Sequence, residues 1–228
     1  MRIWLTRKKQ NTTPSTGEPD VTEGWLHPES AQTLLAETTR QQLIQFIRQS
    51  TALPASLFER FWLIPIHRFA ELAQLFPASE NHHHSHAGGL LDHSLEAACY
   101  AARLRQNYLF PPDAVPEDQA AQSERWTTVI IYAALLHDPG KLITDIEVED
   151  VSGKHWFPWH GPLTQSYRFR YLPQRDYLRH PAAAALLLPQ LLPPESLDWL
   201  AADAAALSTL LHCFNGQYQY AGLAGELV

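Results

Sequence analysis

The sequence predicts an all-α fold, a predominantly helical bundle with a short extended or hairpin excursion near residues 145–172. Three observations predict it. Bulky apolar residues recur at helical intervals in most long stretches between prolines and glycines. Residues 126–137, WTTVIIYAALLH, are apolar nearly all round, as a central buried helix requires. Val, Trp and Phe around Ser152-Gly153, followed by the alternating Arg168-Phe169-Arg170-Tyr171, give the chain its one strand-like region.

Taken in order, residues 1–24 lack periodicity and are rich in Thr, Pro, Ser and Gly, so they are expected to form a flexible arm before a single domain over residues 25–228. Residues 28–50 carry Leu34, Leu35, Leu43, Ile44, Phe46 and Ile47 at helical spacing and predict one helix. A second helical stretch covers residues 54–76, with a break expected at Pro65. Gly88-Gly89 then precedes the uninterrupted LLDHSLEAACYAARLRQ, a long helix with His93 in its first turn or two. Residues 110–122 read as loop, and Pro139-Gly140 ends the central helix. After the extended region, HPAAAALLLPQLL and SLDWLAADAAALSTLLHCF predict two more helices. The closing GLAGELV reads as the middle of an element, so the domain is expected to continue past Val228.

A chain of 228 residues, 45% of them hydrophobic, can bury a sizeable core without metal or disulfides. With 17 basic and 24 acidic side chains it carries a net charge of −7, so contact with nucleic acid has to be local. Cys99 and Cys213, expected as buried thiols, are too few for a disulfide framework and fit a reducing cytoplasm. The start has no apolar stretch long enough for a signal peptide or anchor, so a soluble protein without membrane insertion is expected. What most needs explaining is the twelve histidines.

HDPGK at residues 137–141 sets an imidazole and a carboxylate side by side at the end of an apolar helix. Burying both is costly unless they are hydrogen-bonded or share a cation. The plainer reading is a helix end whose histidine meets the last carbonyls. His93 follows two glycines on an element rigid enough to hold a ligand, although a lone helical histidine is usually structural. The tract NHHHSHAGG, with His82, His83, His84 and His86, could supply a ligand or proton carrier, bind phosphate, or be a solvated segment. In YRFRYLPQRDYLRH, Arg168, Arg170, Arg175 and Arg179 alternate with Tyr167, Phe169, Tyr171 and Tyr177. Arginine forks bind phosphate and aromatics stack on bases, but a half-buried strand shows the same alternation.

Gly-Gly-Leu-Leu-x-His-Ser-Leu-Glu followed by His-Asp-x-Gly-Lys resembles the HD superfamily of metal-dependent phosphohydrolases, over roughly residues 55–228. The resemblance implies His93 as first metal ligand, His137 and Asp138 as the doublet, and Lys141 facing substrate phosphate. Two-metal members place two further histidines after the doublet; here these are His160, with His155 competing, and His180, and Asp138 would bridge the ions. A closing aspartate departs from the pattern: Asp203 is the weak candidate, a residue beyond Val228 the preferred one. The His-His pair before Gly-Gly-Leu-Leu-x-His is similar to that of HD-type 3′-to-5′ exonucleases. It implies a place at the centre for His84, as proton carrier, and His83, at phosphate.

Together HHHSHAGGLLDHSLE, HDPGKLITDIEV, RFRYLPQRDYLRHP and LHCFNGQYQYAGLAGELV resemble the TraI-type (MobH) conjugative relaxase/helicase family. That resemblance implies a metal-dependent phosphodiesterase or nuclease with one or two divalent ions (Mn, Fe, Mg or similar). Its partners would be DNA, single-stranded or at a transfer origin, and other conjugation proteins. An activated water would attack phosphorus, with Asp138 and Lys141 at the reacting group; a covalent link to DNA would instead need one of the eight tyrosines. No Gly-x-x-x-x-Gly-Lys-Ser/Thr occurs to carry a helicase activity. The competing expectations are an HD-type nucleotide phosphohydrolase or exonuclease, and an inactive scaffold binding DNA or transfer proteins.

Overall fold

A computed structural model describes residues 24–173, 175 and 179–228. Nearly all of the expected N-terminal arm, and Tyr177, lie outside the described residues. Ser30 starts the first helix by accepting the Thr33 amide, and α1 runs Ala31–Leu35. Where the sequence predicts one helix over residues 28–50, the chain breaks after α1 and restarts as α2, Thr38–Gln49. Two α2 side chains explain the break: Arg40 Nη1 donates to the Leu34 carbonyl and Gln41 Nε2 to the Leu35 carbonyl, each at 2.6 Å. They satisfy end-of-helix acceptors that a continuous helix would have bonded itself.

Next come α3 (Ala55–Phe58), a π-helical turn (Glu59–Leu63) and α4 (Ile64–Ala73), joined without interruption. The break expected at Pro65 is absorbed. Proline offers no N–H to the Phe61 carbonyl, and the buried Tyr132 hydroxyl donates to it instead. Helix α5 spans Gly89–Arg105 and α6 spans Pro116–Leu135. The latter starts inside the segment expected as loop, because Pro116 suits a first helical position and Glu117 and Asp118 complement the helix dipole. From Trp126 onward every residue of α6 is buried, as its apolar sequence predicts. It packs against α5, and α5 in turn against α2.

The short α7 (Lys141–Thr144) leads into β1 (Ile146–Asp150), β2 (His155–Trp156) and β3 (Tyr167–Tyr171). These form an antiparallel sheet in the order β2-β1-β3, the extended excursion the sequence predicts. Tyr167 and Phe169 turn inward onto Phe76, with ring centroids 5.4 and 5.2 Å away. Leu26 adds a bridge to Tyr167.

Four α-helices follow, α8 (Arg179–Ala184), α9 (Leu188–Leu191), α10 (Pro194–Ala201) and α11 (Ala204–Phe214), and the 3₁₀ turns Tyr218–Tyr220 and Gly222–Glu226 come after them. The stretch SLDWLAADAAALSTLLHCF, expected as one helix, divides at Asp203, whose carboxylate accepts the Ala205 and Ala206 amides as the N-cap of α11. Packing α11 on α6 completes a core cluster that extends from Leu26 to Leu227. Cys213 is buried and Cys99 half-buried; burial pushes their thiols up to about 11 and about 12. Among the described residues no helix is long and apolar enough to cross a membrane.

Candidate metal centre

The His137-Asp138 doublet occupies the turn between α6 and α7. His137 Nδ1 lies 2.7 Å from the Ala134 carbonyl. A carbonyl only accepts, so Nδ1 carries the proton and the Nε2 lone pair is left for the site. Two residues on, Gly140 is required sterically. A Cβ there would stand 1.8 Å from the His180 carbonyl oxygen and 2.8 Å from the Ala184 amide nitrogen. The missing side chain lets α8 rest on the doublet turn, which brings His180 to Asp138.

The other wall is the start of α5. Gly88 has φ +79°, and a Cβ on Gly89 would meet the His84 carbonyl oxygen at 2.1 Å. This close approach folds the His83-His84 segment back onto the helix bearing His93. Arg40 secures the corner by holding Asp92, one residue before His93, with contacts of 2.6 and 3.2 Å.

Three ligand-type atoms converge between these walls. His93 Nε2 and His137 Nε2 are 3.1 Å apart, and they lie 3.3 and 3.2 Å from Oδ2 of the buried Asp138. Nitrogen and oxygen ligands about 2.0–2.2 Å from a common cation stand roughly 3.0–3.5 Å from one another, so this triangle fits the face of a coordination shell. On the other carboxylate oxygen, Oδ1, His180 Nε2 stands at 3.7 Å. A second group, His83, His84 and His93, also brings one ligand atom each within 4.8 Å of the others. His84 Nε2 pairs with Glu96 Oε2 at 3.0 Å, while the Nδ1 atoms of His84 and His180 are buried without a partner. Buried polar atoms are nearly always satisfied, so the unpartnered Nδ1 of His84, in the second group, is open to a ligand or a proton.

Lys141 Nζ contacts Asp138 Oδ2 at 2.6 Å and the Ala78 carbonyl at 3.2 Å. Burial alone would raise the Asp138 carboxyl. Hydrogen bonds with His137 and His93 and the charges of His137 and Lys141 outweigh it and hold the group far below the usual carboxylate range. Burial opposes protonation of His137, yet the bond and charge of Asp138 raise it above its ordinary value. For His180 burial prevails over the Asp138 and Asp145 charges and lowers it.

Of the five ligands the resemblance implies, His93, His137 and Asp138 come together, and His180 approaches them only through Asp138, at 3.7 Å. His160 does not: it is exposed on a 3₁₀ turn beside Trp159, outside both histidine groups. Its rival His155 pairs with Glu147. Arg168 and Arg170 fork onto Glu149 and Glu147 in register across β1 and β3, so the strand reading accounts for their alternation. Arg175 pairs with Glu80, and the exposed Arg179 directly precedes His180 on α8. Asp203 is engaged as a helix cap.

Three further residues matter that the sequence reading did not single out. Glu96 orients His84, and its position one turn beyond His93 on the same helix was the available signal. Asp145 is buried, bonded to Thr144, and acts electrostatically on His180; nothing in its local sequence marks it. Tyr218 lies within the field of Asp138, and burial is the main cause that pushes its phenol up.

Fold and centre define a helical protein with a His/Asp cluster that could hold a metal ion. The chain belongs to the TraI_2 family, described as "Putative helicase", which matches residues 24–228. No curated protein matches it.

Proposed function

We propose that His93, His137, Asp138 and His180 hold one or two divalent cations and that the centre breaks a phosphodiester bond in DNA. The chain would thus be the HD-type catalytic part of a conjugative relaxase. One observation carries the reading: two imidazole Nε2 atoms and a carboxylate oxygen meet at 3.1–3.3 Å in a protein where a simple helix end would need only one of them. The TraI_2 membership and the motif resemblance support DNA as the substrate.

A divalent ion would supply charge neutralisation at phosphate and a nucleophilic water at neutral pH. The side chains would divide the remaining work. Asp138 presents one oxygen to His93 and His137 and the other towards His180, so these four side chains would hold the ion or ions. Lys141, anchored by the Ala78 carbonyl, brings a positive charge to the phosphoryl oxygens. His84, held at Nε2 by Glu96, offers Nδ1 to move a proton to or from the reacting oxygens. His83 and Arg179 are assigned to phosphate.

Incubating the chain with Mn(II) and a labelled single-stranded oligonucleotide tests this. Cleavage should require metal and should fall in His137→Ala and Asp138→Ala by more than the roughly 10–100-fold that loss of an outer partner costs. Undiminished cleavage by those variants would overturn the proposal. Rapid release of phosphate from deoxynucleoside triphosphates with intact DNA would point to a nucleotide phosphohydrolase instead.

A further inference from the structure

Beside the metal centre, α2 and α5 enclose a cleft of about 390 Å³ whose lining includes Gln42, Phe46, Glu96, Tyr100 and Arg103. This lies in the range typical of ligand sites, about 300–1,000 Å³. One side chain links the cleft to the histidine cluster, because Glu96 both lines it and holds His84.

Along α5 the residues His93, Glu96, Tyr100 and Arg103 follow at steps of three and four and form one stripe. At about 1.5 Å per residue, Tyr100 stands roughly 10 Å and Arg103 roughly 15 Å from His93 along the helix. Tyr100 is 65% exposed, an unusual position for a large aromatic ring. Arg103 is exposed too, with its guanidinium 5.4 Å from the Phe46 ring centre on the opposite wall. Gln42 and Thr39 add exposed hydrogen-bonding groups from α2.

We propose that this cleft holds the single-stranded nucleotides flanking the phosphodiester at the metal centre, with Tyr100 stacking on a base and Arg103 meeting a backbone phosphate. The proposal rests on the phosphodiesterase reading above and adds where the strand runs. A polymer is the occupant, since the stripe is several times longer than the roughly 3.4 Å stacked rise of one nucleotide. Tyr100 requires an unpaired base, which selects single strand over duplex. The net charge of −7 leaves affinity to such local groups.

The test is fluorescence anisotropy of a labelled oligo-dT with the whole chain in EDTA, so that binding is read apart from cleavage. Tyr100→Ala should weaken binding at least about fivefold. Arg103→Ala should reduce the slope of log affinity against log salt by about 0.7, whereas Arg103→Lys should retain it. Bound metal, measured separately, should stay at the wild-type stoichiometry in all three. Wild-type affinity and salt slope in Tyr100→Ala and Arg103→Ala would overturn the proposal, as would displacement of the strand by equimolar free thymidine monophosphate. If DNA is never cleaved but these losses appear, the cleft stands and the catalytic reading falls. Cleavage with unaltered binding gives the reverse.

Discussion

His93 on α5 and His137 in the turn after α6 reach one another, with Nε2 atoms 3.1 Å apart against the same Asp138 oxygen. Two lone pairs held that close gain by sharing a cation. A ligand that binds only the folded chain at 100 times its Kd stabilises by about 2.7 kcal/mol. For a chain of this size that is a rise in melting temperature of about 5–10 °C. Thermal melts of chelator-treated protein with and without Mn(II) should show the rise in wild type and none in His93→Ala.

Gly140→Ala should damage the centre without touching a ligand. The new methyl group would enter the space of the His180 carbonyl and the Ala184 amide, while φ −62° at this position suits alanine. The effect is therefore steric, an overpacking cost of about 1–3 kcal/mol in urea denaturation. Displacement of α8 should also weaken Mn(II) binding in titration calorimetry.

The sequence made part of this legible, and the legible parts share a cause. The apolar run ending in His137-Asp138 stands out because polar groups at a buried helix end demand a partner, and Gly88-Gly89 before His93 because a tight approach excludes side chains. The helix break between α1 and α2 was hidden. It depends on Arg40 and Gln41 reaching back to carbonyls, a choice that apolar spacing does not encode. His160 and His180 look alike as sequence; only the packing of α8 on Gly140 separates them. Arg168 and Arg170 read equally well as phosphate contacts or strand residues until the β1 to β3 register pairs them with Glu149 and Glu147.

Asp203→Ala distinguishes a cap from a ligand. Loss of the two bonds to Ala205 and Ala206 should cost about 1 kcal/mol of stability. Metal stoichiometry should be unchanged, and a matching loss of metal would return Asp203 to the centre.

The Arg40 to Asp92 contact predicts an acid-sensitive anchor. Burial raises Asp92, but hydrogen bonds with Arg40 and His86 outweigh it and leave the carboxyl below its ordinary value. A depressed carboxyl stabilises the fold above the unfolded value of about 3.9, and this contribution is lost as pH falls through the folded value. Wild type should therefore melt well above Asp92→Asn at pH 7. The gap should narrow steadily below about pH 4; a gap independent of pH would contradict the ion pair.

Quantifying bound metal tests the central claim most directly. Wild-type chain exposed to Mn(II), Fe(II) or Zn(II) and then desalted should retain about one or two ions per chain, as two-ion sites on a shared carboxylate do. Asp138→Ala should retain almost none. A wild type that keeps no ion from any of the three, or an Asp138→Ala variant that keeps as much as wild type, would contradict the account.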